Sequence, residues 1–307
     1  MAANSYTTSD LVDNVILIGH IPLSNSTFTA TQVIRLADRE MQTALMSQIL
    51  SVREGYYLTY VDYTINAAGQ YPIPPGAIGG ALANIELVQE PTIIPVNRIE
   101  ESEQFSTTSP SSTSYGFFIK GNTIQILPTP NIGVARVWFL RRPSALVTTA
   151  SAAQVTVIAG STITVSTLPA TMQIGTSVDL CQDQPTFNVL ATRTITNIVG
   201  LDVTFGSAVT DLAAGDWMAL ENQTPVPQIP VEFRPLLEQR VVVKMYELQA
   251  YLDKMRAAQA KLEELERALF RLITPRVQSQ TKIIMPVNGG FMGGGRGRGN
   301  FPASRDQ

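Results

Sequence analysis

A chain of 307 residues that is 44% apolar can build about two cored domains, yet its 15% charged share falls well below the quarter usual for soluble domains. The net charge of −3 hides an asymmetry: from Arg276 onward five basic residues face Asp306 alone, a balance of +4 that leaves −7 on the rest and argues against a body that grips DNA. Cys181 is the one cysteine and His20 the one histidine, which excludes a disulfide framework, a thiolate metal cluster and a multi-histidine site.

The first residues have no basic n-region and no apolar h-region, so no signal peptide is expected, and synthesis in a reducing cytoplasm is. The longest continuous apolar run, Val15 to Ile18, is far too short to span a bilayer. Ser9 and Asp10 are placed to cap a short helix through Ile18 that Gly19 closes. Thr29 and Gln32 form a capping box, with Phe28 and Val33 as hydrophobic staple. Behind them Ile34, Ala37, Met41, Ala44, Leu45 and Ile49 predict one face of a helix reaching about Val52. From Gly55 aromatic and β-branched residues predict extended chain. Tyr71 to Gly80 is too proline-rich for a central strand, and a strand is expected at Ala83 to Val88. Glu101 to Ser114 reads as an exposed loop or short linker. Phe117 to Leu127 is a hairpin turning at Gly121-Asn122, and Val134 to Leu140 a further strand.

Between Val147 and Gln223 short alternating segments recur: Gln154–Ile158, Thr162–Thr167, Ser177–Cys181, Val189–Ile195, Leu201–Phe205 and Trp217–Leu220, punctuated by glycines. They predict a small barrel or sandwich inserted between helical parts. From Val241 apolar residues recur at heptad spacing, Val241, Leu248, Met255, Leu262 and Leu269, with Tyr251, Ala258, Leu265 and Leu272 in a second register. One long helix, or two joined near Tyr251, follows, begun by Pro230 and Pro235 and ended by Pro275. Its seam (Leu248, Met255, Leu262, Leu265, Leu269) needs other helices, either in a bundle within the chain or in a coiled coil between chains.

The expected fold class is thus α+β: an antiparallel helical bundle with β-hairpin elements, an inserted small β-barrel or sandwich and an extended C-terminal arm. Residues 1–146 form the first part of the scaffold, 147–223 the inserted β domain, 224–285 the helices completing the bundle, and 286–307 a flexible Gly/Arg arm.

Candidate chemistry is sparse. His20 stands at a helix end, where an imidazolium can meet the helix dipole. The glycine-rich stretches Gly76 to Gly80 and Gly289 to Gly299 lack the lysine and hydroxyl residue of a phosphate loop. Glu100, Glu101 and Glu103, like Glu263, Glu264 and Glu266, read as solvated carboxylates. Arg296 and Arg298 between Phe291 and Phe301 fit either single-strand binding or an arm that orders on a protein. No catalytic residue, metal ligand or cofactor is expected.

Several stretches together resemble the head-to-tail adaptor (connector) proteins of tailed bacteriophages. They are the capped helix from Thr29 into Ser51–Tyr57, Ile73–Gly80, Lys120–Pro128, Phe139–Pro143, Thr224–Pro230 before a helix and Thr274–Val277 after it. The resemblance spans most of residues 9 to 285 and implies a non-enzymatic virion protein. Such proteins form a ring, usually of twelve copies, in the neck between portal and tail. Double-stranded DNA passes through without sequence-specific binding, tail or nozzle proteins bind one side, and a C-terminal extension reaches the portal. In this chain that portal-binding arm would use Lys282, Ile283, Ile284, Met285, Arg296, Arg298 and Arg305. The 147–223 insertion departs from the smallest adaptors. The other expectation is a carbohydrate- or receptor-binding tail component using the β insertion, whose Trp217 and loop carboxylates could host a sugar.

Overall fold

The computed structural model describes residues 6–21, 28–100, 115–182, 189–210 and 212–273. Helix α1 (Thr8–Gly19) is capped by Thr7 rather than Ser9. The Thr7 hydroxyl accepts from the Asp10 N–H while the Asp10 carboxylate accepts from the Thr7 N–H at 2.8 Å. It ends at His20, whose φ of 44° is the left-handed turn that returns its N–H to the last carbonyls. Helix α2 (Ala30–Glu40) has the Thr29–Gln32 box and runs through a π turn (Met41–Leu45) into α3 (Met46–Val52). Ala37, Met41, Leu45 and Ile49 are four residues apart and all fully buried. A regular helix would carry such a row about 40° further round at each step, and the wider π turn rewinds it.

Helix α4 (Arg234–Leu248), with Pro235 in its first turn, is the central helix, buried along most of its length against α1, α2 and α5 (Leu252–Ile273). Gln239 reaches across to donate to the Ala258 carbonyl at 2.9 Å. Between α4 and α5 the chain breaks at Ala250, whose φ is 55°. The heptad register therefore runs across two helices.

A seven-stranded sheet follows α3, in the order β1-β7-β3-β4-β5-β6-β2. Its strands are β1 (Leu58–Thr64), β2 (Gln70–Pro72), β3 (Ala77–Gln89), β4 (Thr92–Arg98), β5 (Tyr115–Lys120), β6 (Thr123–Leu127) and β7 (Val134–Arg141). Alternation sends Val61 and Tyr63, Ile85 and Leu87, Val96, Phe117, Ile124 and Ile126, and Ala135 and Val137 into one core. The sheet curls until its two edge strands approach, with the Tyr63 and Tyr71 rings 5.8 Å apart. β3 begins earlier than expected because bulges between Ala77 and Asn84, with Gly79 at φ 59°, break its alternation. β4 was not anticipated, since Pro95 sits inside it.

The closed barrel has the order β10-β13-β12-β11-β14-β9. It comprises β9 (Ala153–Ala159), β10 (Thr162–Val165), β11 (Ser177–Cys181), β12 (Val189–Val199), β13 (Asp202–Phe205) and β14 (Trp217–Leu220) around Val155, Ile163, Val178, Leu180, Ile195, Val203, Phe205 and Met218. Incoming β8 (Ala145–Leu146) and outgoing β15 (Gln223–Thr224) lie side by side as a parallel pair.

The architecture is mostly β, with short helices beside a curled sheet and a closed barrel, and the expected antiparallel helical bundle is not what the chain builds. The reason lies in the seam. Of its residues only Leu269 is buried; Met255, Leu262 and Leu265 are half-buried against the helical core, and Leu248 is 65% exposed. A bundle must enclose such a row on all sides. Here α5 lies on the outside of α4, and the helical core is completed from the sheet and the barrel stalk by Tyr57, Leu140 and Leu146.

Candidate functional site

The helical core reaches the stalk where the chain enters and leaves the barrel, and directional polar contacts fix that joint. The Thr8 N–H donates to Pro225 O at 2.7 Å, and its hydroxyl to Val147 O at 2.7 Å, so the start of α1 holds both stalk strands. Asp38 of α2 accepts from the Leu146 N–H at 3.0 Å. Gln228 accepts from the Ser144 N–H through its side chain and from the Tyr57 hydroxyl through its carbonyl. Burial pushes the Tyr57 phenol far above its ordinary range, so it stays a donor.

A second tie crosses from sheet to barrel. Asp179 of β11, fully buried, accepts from Thr192 Oγ1 at 2.6 Å, from the Asn222 N–H at 2.9 Å and from Arg141 Nη2 at 3.2 Å. Asn222 has a φ of 61°, which turns its N–H toward the carboxylate. Cys181 lies beside it in a small core with Ala152, Trp217, Ala219 and Val226. Burial, reinforced by the Asp179 charge, pushes the Cys181 thiol up to about 12. Next to this tie opens a cleft of about 480 Å³, with Thr59, Tyr60, Val61, Pro74, Pro75 and Arg141 toward the sheet and Thr192, Glu221 and Asn222 toward the barrel.

On the outer face of the sheet the register forms a polar–aromatic grid. Tyr60 stands opposite Trp138, and Asp62 opposite Arg136, which stands opposite Glu86. Arg136 makes two bonds to Asp62, at 2.8 and 2.9 Å, and lies 4.2 Å over the Tyr60 ring. The Asp62 hydrogen bond holds the guanidinium firmly charged. Trp138 Nε1 donates to Glu86, which also accepts from Asn84.

One end of the helical unit is apolar and open. Tyr246 donates to Gly19 O at 2.6 Å, which brings the end of α1 beside the α4–α5 turn. Leu17, Ile18, Leu248, Tyr251 and Leu252 are all exposed there. Between them Ile18, His20, Tyr246, Lys254, Ala257 and Lys261 line a groove of about 350 Å³.

The arm residues Lys282, Ile283, Ile284, Met285, Arg296, Arg298 and Arg305 lie outside the described residues, as do Glu101 and Glu103. His20 sits exposed on the groove. Glu263 and Glu264 pair with Arg267 and Lys261 on the exposed helix face. Glu266 is different: Arg240 bonds to it at 2.5 Å and lies 3.6 Å from Glu40, tying α2, α4 and α5 together. Trp217 is buried, so it offers a sugar no exposed ring; Tyr60, Tyr251 and Phe270 are exposed aromatics among the described residues, and none lies in the β insertion. Asp179 and Arg240 were missed, although a carboxylate amid Val178, Leu180 and Cys181 was a legible signal of a buried acceptor. Among the described residues no three His, Cys, Asp or Glu side chains gather as metal ligands, and no helix is long and apolar enough to cross a membrane. No family model matches the chain, and no curated protein matches it in sequence.

Proposed function

We propose that the chain is a non-enzymatic head-to-tail adaptor of a tailed bacteriophage. Its copies form a ring of about twelve in the neck of the virion, between portal and tail, through which double-stranded DNA passes without sequence-specific contact. The portal takes the C-terminal arm, and tail or nozzle proteins take the opposite side. The observation that carries this reading is the open apolar end of the helical unit. Five large apolar side chains at the end of α1 and around the α4–α5 turn are left exposed there, a density that marks a protein contact rather than a solvated surface. The stiff joint supports it, because a ring part bears load best when its units are tied by buried directional contacts. The acidic body supports it too, since a wall beside passing DNA should not hold it.

Light scattering on purified protein, alone and with portal, tests the reading. A species near twelve chains with portal is expected. Leu17→Glu with Leu248→Glu should abolish the ring while leaving the circular dichroism of the subunit unchanged. A stable monomer or trimer in the presence of portal would overturn it.

A further inference from the structure

Tyr60 belongs to two polar arrays that differ in what their groups have left to give. On the outer face of the sheet the side chains are spent on one another: Arg136 on Asp62, and Trp138 and Asn84 on Glu86. In the cleft between sheet and barrel they are positioned but uncommitted. The Thr59 and Tyr60 hydroxyls, the Glu221 carboxylate and the Asn222 side-chain amide line it and bond to no other group of the chain. Arg141 spends one N–H on Asp179, and Thr192 donates its hydroxyl proton there while its oxygen can still accept. Tyr60 is 47% exposed, with Arg136 over one face of its ring.

The walls are fixed without a ligand. Asp179, fully buried, holds Arg141, Thr192 and the Asn222 backbone together, and the Asn222 carbonyl accepts from the Ala145 N–H at 2.8 Å. Opposite β1, the turn that supplies Pro74 and Pro75 is pinned by the Arg142 N–H on Gly76 O at 2.7 Å. A site held in this way gives up little conformational entropy when it fills. Its volume of about 480 Å³ lies inside the range of about 300–1,000 Å³ usual for small-molecule sites.

We infer that this cleft binds a short neutral carbohydrate. Tyr60 and the two prolines take the C–H face of a ring, and Glu221, Asn222, Thr59 and Arg141 bond its hydroxyls. The mixture of groups selects that chemistry. A sugar hydroxyl both donates and accepts, as this lining requires, and a pyranose adds an apolar face for the aromatic ring. Arg141 is neutralised by Asp179, so Glu221 is the one uncompensated charge on the lining and repels an anion. A cation would leave the N–H donors of Arg141 and Asn222 without acceptors. The inference is independent of the adaptor reading, which stands or falls on the size of the assembly.

Saturation-transfer NMR on the full-length chain with maltose, cellobiose, lactose and chitobiose tests the proposal, followed by an amide-shift titration of labelled protein. At least one of these sugars should bind, with transfer strongest to its ring C–H protons and shifts confined to residues 59–61, 192, 221 and 222. Tyr60→Ala and Glu221→Gln should each weaken binding at least about tenfold, whereas Asn84→Ala, on the committed array, should not change it. Glu221→Gln alters only an exposed group, so its result does not depend on the fold tolerating Tyr60→Ala. Between about 0.05 and 0.5 M salt the affinity should move less than about twofold. No transfer to any of these sugars at about 10 mM would overturn the proposal, as would shifts elsewhere on the surface or unchanged binding in Glu221→Gln. Tighter, salt-sensitive binding of free arginine or lysine would also overturn it, by assigning the cleft to a cation.

Discussion

Replacing Asp179 by alanine should uncouple sheet from barrel, and the structure sets the size of the effect. The substitution removes the common acceptor of three donors, Thr192 Oγ1, the Asn222 N–H and Arg141 Nη2, at a site with no solvent access. An orphaned buried donor costs about 1–3 kcal/mol, and breaking a buried ion pair about 3–5 kcal/mol. The Arg141 side chain is 18% exposed and can turn partly to water, so the total belongs near 3–5 kcal/mol rather than at the simple sum. Asp179→Asn keeps one carbonyl acceptor and should cost less, about 1–3 kcal/mol. Urea unfolding followed by far-UV dichroism and by tryptophan fluorescence measures this, because Trp217 sits in the small core beside the tie. The wild type should unfold with coincident probes; Asp179→Ala should split them, the tryptophan transition moving to lower urea. A loss below about 0.5 kcal/mol with probes still coincident would refute the view that this carboxylate holds the two units together.

Other consequences follow from particular positions. Leu269→Ala should cost about 2–4 kcal/mol and half-buried Leu262→Ala about 1–2, whereas Leu248→Ala should stay within about 0.5 of wild type in the isolated subunit; equal costs at all three would restore the enclosed seam. Gly133 has a φ of 97°, and an added Cβ would lie 2.5 Å from Val88 O, so Gly133→Ala should lower the unfolding midpoint by the equivalent of about 1–3 kcal/mol. Burial raises Cys181 from its ordinary 9.0 to about 12, and Tyr56 from 10.0 to about 12. Both favour the fold fully below their unfolded values, and that stability is lost as pH rises from about 9 through 12. Denaturant titrations at stepped pH should show this fall, and a thiol reagent at pH 8 should label Cys181 only after unfolding; fast native labelling would contradict the burial.

The sequence was most legible where a signal was local. The Thr29–Gln32 box, the Gly121-Asn122 turn and the six alternating segments between Gln154 and Leu220 each sit on the element they imply, because capping, turn and pleat are decided by adjacent residues. It was least legible where register crossed a break. The heptads from Val241 to Leu269 look continuous, but Ala250 in a left-handed turn splits them and leaves Leu248 in water. That over-read seam inflated the helical part into a bundle. β4 was hidden by Pro95 and the start of β3 by its bulges, so the larger sheet went unrecognised as such. The joint was not legible at all. Thr8, Asp38, Arg141, Asp179 and Gln228 come from five distant stretches, and only the folded register of stalk, sheet and barrel brings them together.

An electron cryomicroscopy reconstruction of the virion neck would show where this chain sits in an assembled particle. A ring of copies between portal and tail is expected, with Leu17, Leu248 and Leu252 covered by neighbouring subunits and the segment from Thr274 onward extending to the portal. Copies found at the distal tail, or a neck in which this chain is absent, would contradict it.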